Sequence, residues 1–96
     1  MLDRLRREDF ESLLGQKLKV VAGASVTELE VAEAAALNSP SPRDTPPFRV
    51  ILRSRDGWRA PQGIFRVTHP TYGELELFAV PIGPDGQGLC YEIVFN

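Results

Sequence analysis

The sequence predicts a mainly β protein, a small antiparallel six-stranded β-barrel or sandwich preceded by one short N-terminal α-helix. Three observations carry that expectation. Apolar and polar residues alternate with a period of two from Lys17 onward, the signature of half-buried strands. Glycine and proline punctuate the alternation at short intervals, as tight antiparallel connections require. Finally, 96 residues with 43% hydrophobic and 25% charged side chains suit one compact unit with one core, read as a single domain over residues 1–96.

The helix is expected over about residues 4–14. Leu2, Phe10, Leu13 and Leu14 cluster on one side of a helical wheel, while Arg6, Arg7 and Glu11 face elsewhere. Asp3 or the pair Glu8 and Asp9 suits its N-terminal end, and Gly15 is placed to close it in the left-handed conformation.

A β-rich core then fills residues 17–96. Leu18 and Val20 alternate with Lys17 and Lys19, and Leu29 and Val31 with Glu28 and Glu30. Phe48, Val50 and Leu52 alternate with Arg49 and Arg53, and Phe65 and Val67 with Arg66 and Thr68; two further strands are expected around residues 74–82 and 89–95. Residues 38–47 hold Pro40, Pro42, Pro46 and Pro47 and read as an extended surface loop, because proline lacks the N–H a ladder needs. Turns at Pro61-Gln62-Gly63, at residues 69–73 and at Gly83-Pro84-Asp85-Gly86 separate the last strands. Six half-polar strands hide their edges best by closing into a barrel or stacking as a sandwich.

Composition narrows the function classes. A net charge of −2 with a pI near 5.3 argues against nucleic acid or an acidic membrane as the main partner. The early arginines are followed by Glu8 and Asp9 rather than an apolar stretch, so no signal peptide is expected. The longest apolar run, residues 77–82, is far shorter than the roughly 20 residues of a membrane-spanning helix. The expected setting is cytoplasmic, or within a larger particle. Cys90 is the one cysteine and reads as a small buried hydrophobe in a strand.

No catalytic constellation is legible, and the chain is expected not to be an enzyme. His69 is the one histidine and stands before Pro70, where a side chain more often bonds locally than catalyses. Glu74 and Glu76 share the outward face of a strand and read as ionised surface charge. The glycines mark turns, and no dinucleotide or phosphate-loop pattern follows a strand into a helix. No cofactor or metal is expected.

Two readings of the charges follow. If strands pair in sequence order, Arg49 and Arg53 face Glu28 and Glu30, and Arg66 faces Glu76, as ordinary cross-strand pairs. Alternatively Arg53, Arg55, Trp58 and Arg59 form an interaction tip around Asp56-Gly57, since arginine and tryptophan are enriched at binding hot spots. The last strand, with Tyr91, Ile93 and Phe95, is a candidate edge through which subunits could pair. A protein partner is thus the first expectation. The alternative is a small-ligand or oligonucleotide-binding barrel with Trp58, Tyr72 and Tyr91 lining its mouth or a sheet face.

The segment DFESLLGQ near the start, together with Pro61-Gln62-Gly63, His69-Pro70, Gly73-Glu74 with Leu77-Phe78, Val80-Pro81 with Gly83, and Tyr91-Glu92 through Val94-Phe95-Asn96, resembles an uncharacterised bacterial domain-of-unknown-function family. Such domains are similar to small proteins encoded beside phage-tail-collar-like proteins. The resemblance implies no activity; by neighbourhood alone it implies a structural or accessory module of a tail-like assembly, with a tail-collar-like protein as partner.

Overall fold

A computed structural model describes residues 4–38 and 45–96. It contains α1 (Glu8–Glu11), β1 (Lys17–Ala22), β2 (Ser25–Ala36), β3 (Phe48–Ser54), β4 (Gly63–His69), β5 (Gly73–Pro84) and β6 (Leu89–Phe95). All six strands pair antiparallel in a closed barrel of order β1-β2-β3-β6-β5-β4. The two-residue rhythm therefore reports real strands, and closure as a barrel decides between the two architectures expected.

The two long strands make closure possible. β2 pairs with β1 through residues 25–30 and with β3 through residues 30–36. β5 likewise pairs with β4 through residues 73–79 and with β6 through residues 80–84. Each ladder shifts register at a bulge, between Val31 and Glu33 in β2 and between Pro81 and Gly83 in β5. An extra residue bends and twists a strand, so each long strand turns a corner of the barrel. The bulge and the start of β5's second ladder also accommodate Pro81, which has no N–H to donate.

Two sequence expectations need correction. The α-helix is one turn, Glu8–Glu11, rather than residues 4–14. Beyond it the amides bond three residues back, Leu13 N to Phe10 O at 2.9 Å and Gln16 N to Leu13 O at 2.9 Å. At three residues per turn, Phe10 and Leu13 stay on the buried side with Leu5, while Leu14 swings outward. Gly15 does close the segment at φ 84°, and its N–H reaches the Val31 carbonyl at 2.9 Å.

Strand order, which the sequence left open, places β3 beside β6, from Phe48↔Phe95 to Ser54↔Leu89, rather than beside β4. The second correction follows from it: β6 lies between β3 and β5, so Tyr91, Ile93 and Phe95 belong to an interior strand and not to a free edge. The proline-rich loop expected over residues 38–47 lies largely outside the described residues, but at its base the Leu37 N–H donates to the Pro47 carbonyl at 3.0 Å.

Inward residues of every strand fill the barrel. Val20, Leu29, Val31, Phe48, Val50, Leu52, Phe65, Val67, Leu75, Leu77, Tyr91 and Ile93 form one buried cluster, and burial of that many large apolar side chains is the main stabilising term. Both ends are corked. At one, Phe10 lies 5.6 Å from Phe95, 6.3 Å from Phe48 and 5.1 Å from His69, while Phe48 and Phe95 stack at 4.4 Å.

Candidate functional site

The opposite end is built by the connection from β3 to β4. These strands lie across the barrel from one another, so residues 55–62 must cross the open end to join them. That path explains Trp58. Its ring packs 5.8 Å from both Phe65 and Tyr91, and its indole N–H donates to Ser25 Oγ at 2.7 Å, tying the crossing segment to the β1–β2 hairpin. Asp56 shapes the turn: its Oδ1 accepts from the Trp58 amide at 3.1 Å and from the Ser54 hydroxyl at 3.2 Å. The Trp58 amide first, then that hydroxyl, hold the Asp56 carboxyl below its ordinary range. Gly57 takes φ 85°, which side chains rarely adopt. Beyond it the Ala60 N–H donates to the Tyr91 hydroxyl at 3.0 Å.

A polar clamp lies at the same end of the barrel. Arg53 donates through Nε and NH2 to Asp85 Oδ2, at 2.9 and 2.6 Å, and through NH1 to Glu30 at 3.2 Å. Arg55 reaches the same Glu30 oxygen at 2.7 Å and Gln87 at 3.1 Å. The network binds β2, β3 and the β5–β6 turn together. Hydrogen bonding to Arg55, then to Arg53, lowers the Glu30 pKa against the opposing effect of burial. Asp85 Oδ1 accepts from the Gln87 and Gly88 amides at 2.9 and 3.1 Å. The Gln87 amide first, and then Arg53, bring the Asp85 carboxyl down to about 2. Gly88 lies against β3 so closely that a Cβ there would overlap the Ser54 carbonyl oxygen.

The four residues of the expected tip therefore share one end of the barrel but not one role. Arg53 has only 14% of its side chain exposed and is fully engaged. Arg55 is clamped, Trp58 is half-buried, and Arg59 is exposed with no ion-pair partner among the described residues. Arg59 stands at the rim of a groove of about 310 Å³ whose lining includes Ala60, Pro81, Pro84, Leu89 and Tyr91. Cys90 also borders it. Burial, then its hydrogen bond to Asp85, pushes the Cys90 thiol pKa up, which makes it a poor nucleophile. Sequence reasoning missed this groove because its walls come from the 55–62 crossing and the β5–β6 hairpin, which only the closed barrel brings together; Pro84 of the last turn was its one local trace.

The other expectations separate in the same way. Tyr72 sits at the opposite end, its hydroxyl donating to Asp9 at 3.2 Å, and burial first raises its pKa. Tyr91 is 2% exposed. Trp58, Tyr72 and Tyr91 thus do not line one mouth. His69 is buried at the end of β4: Nε2–H donates to the Asp9 carbonyl at 2.7 Å and Nδ1 accepts from the Thr71 amide at 3.0 Å. Both nitrogens serve backbone groups: Thr71 within the His-Pro turn, the local role expected, and Asp9 far away in α1, a long-range tie the sequence did not suggest. Among the described residues no three His, Cys, Asp or Glu side chains gather as a metal site would need, and no helix is long and apolar enough to cross a membrane.

Cross-strand pairing accounts for other charges. Arg53↔Glu30 and Arg66↔Glu76 are register partners as anticipated. Arg49 is not opposite Glu28; it bridges Glu33 at 2.7 Å and Glu92 at 3.2 Å. Those two carboxylates flank Ile51 in the ladders, so the guanidinium closes over that buried outward side chain. Hydrogen bonding to Glu33 foremost raises the Arg49 pKa.

Residues 5–95 match a family described as a domain of unknown function, DUF6916. The chain belongs to this family. The DUF6916 match spans α1 and every strand of the barrel, so the corks at both ends are part of the family domain. No curated protein and no solved structure matches the chain.

Proposed function

We propose that this barrel is a non-catalytic protein-interaction module that docks through its Trp58 end onto a larger assembly. The observation that carries the reading is the groove beside Arg59, an apolar trough with one uncommitted cation at its rim. Its chemistry fits an extended partner segment that places aliphatic side chains against Pro81, Pro84 and Leu89 and a carboxylate against Arg59. The prolines and the bulged strand hold this surface rigid, so little order is lost on docking. The filled interior supports docking outside the barrel rather than a ligand within it. A tail-like particle, with a tail-collar-like protein as the partner, is the setting drawn from the family resemblance.

The test is affinity capture with the intact chain and its Arg59→Glu variant, followed by calorimetry with the purified partner. A partner retained by the parent should be lost by the variant, with its affinity at least tenfold weaker. Binding that Arg59→Glu leaves unchanged would remove the groove from the account.

A further inference from the structure

A different face of the barrel is apolar where a strand should be polar. On the outer side of β4 and β5, Ile64 is 55% and Phe78 52% exposed, and the two are register partners. One step along the same face stand Arg66 and Glu76, also register partners, their side chains 48% and 66% exposed and only loosely paired at 3.4 Å. A contiguous apolar patch, unlike a single exposed hydrophobe, is the mark of an interaction surface.

We propose that this face is the contact between two copies of the chain. The reason is its self-complementarity. Consider a two-fold axis lying in the interface, parallel to the strands and midway between β4 and β5. Face-to-face pairing about that axis sets each residue above its own register partner in the other copy. Ile64 then covers Phe78 of the second copy, and Arg66 meets Glu76 of the second copy, each contact occurring twice. A partner of a single charge sign would leave either Arg66 or Glu76 opposed by a like charge, which costs specificity; a second copy satisfies both.

The surface also has a receptor for the ring. The β1–β4 ladder has two register pairs, Val20↔Val67 and Val21↔Arg66, so the hairpin turn at Gly23 leaves a dimple of about 180 Å³ bordered by Val21, Gly23, Ile64, Arg66 and Glu76. Phe78 of the second copy, set above Ile64, stands at the mouth of that dimple. A face two strands wide lies at the small end of stable interfaces, below the roughly 800 Å² per partner of a standard one. The dimer should therefore be weak and reversible. The proposal does not draw on the Arg59 groove at the barrel end, and either can fail alone.

Sedimentation velocity of the intact chain from low to high micromolar concentration tests it. The expected result is a monomer that becomes a dimer as concentration rises. Phe78→Glu, a change at an exposed position that should leave circular dichroism and melting unaltered, should abolish the dimer. Arg66→Glu should weaken it at least tenfold, and adding Glu76→Arg should restore it, because the exchanged charges again meet across the axis. A chain monomeric at the highest concentration, or a dimer that survives both Phe78→Glu and Arg66→Glu, would overturn the proposal.

Discussion

The two corked ends of the barrel solve one problem in opposite ways. At the α1 end, Phe10 is 1% exposed and touches Phe48, Phe95 and His69; the plug is apolar, and His69 beside it bonds only backbone groups. At the other end Trp58 is half-buried and held by a hydrogen bond to Ser25, and Arg53, Glu30 and Asp85 form a charged clamp at the same end of the barrel. The difference teaches that closing a barrel and presenting a surface are separable tasks. The first plug supplies burial, and the second gives up part of its burial for a hydrogen-bonded place at the rim.

That contrast can be broken most directly by truncating the plugs. Phe10→Ala should cost about 3–5 kcal/mol, as for large aromatic side chains removed from cores, read as a lower midpoint in urea unfolding. Gly88→Ala comes next: its Cβ has nowhere to go beside the Ser54 carbonyl, and overpacking of this kind costs about 1–3 kcal/mol, measurable in the same titration. Trp58→Ala should cost about 1–2 kcal/mol, because part of its ring stays exposed in the folded chain. If its cost equals that of Phe10→Ala, the two ends are alike and the comparison fails.

The smallest effect sharpens the distinction through pH. The Asp85 carboxyl is depressed from 3.8 to about 2 in the folded chain, so the folded state favours its ionised form. Its contribution is complete above pH 3.8 and is lost as pH falls from there towards about 2. Thermal melting should therefore show a loss across that window that is reduced in Asp85→Asn. A window unchanged by this substitution would mean that other carboxylates dominate the acid response.

Much of the architecture was legible because strand formation leaves a local mark. Leu18 and Val20, or Phe65 and Val67, alternate with charged residues whatever their neighbours are, and Gly15 announces its turn through the conformation it alone adopts easily. Strand order leaves no such mark. That β3 meets β6 depends on distant burial, so the crossing of residues 55–62 and the interior position of Tyr91, Ile93 and Phe95 could not be read from spacing. The candidate site divides along the same line. Arg53 opposite Glu30 follows from periodicity and hairpin geometry, whereas Arg49 found Glu33 and Glu92 because of a bulge in β2 and an unforeseen neighbour. Leu14, given to the buried stripe by helical spacing, turned outward because the helix tightened after one turn.

The β3–β6 ladder has a kinetic consequence. The β1–β2 and β4–β5 hairpins close through short turns and can form early, but Phe48 meets Phe95 and Val50 meets Ile93 only when segments 47 and 43 residues apart in sequence find each other. Such distant encounters carry a large loop-closure cost and slow the search. Until that last seam zips, the inward faces of both hairpins remain wet, and a refolding chain should pass its rate-limiting step with local hairpins present and the ring still open.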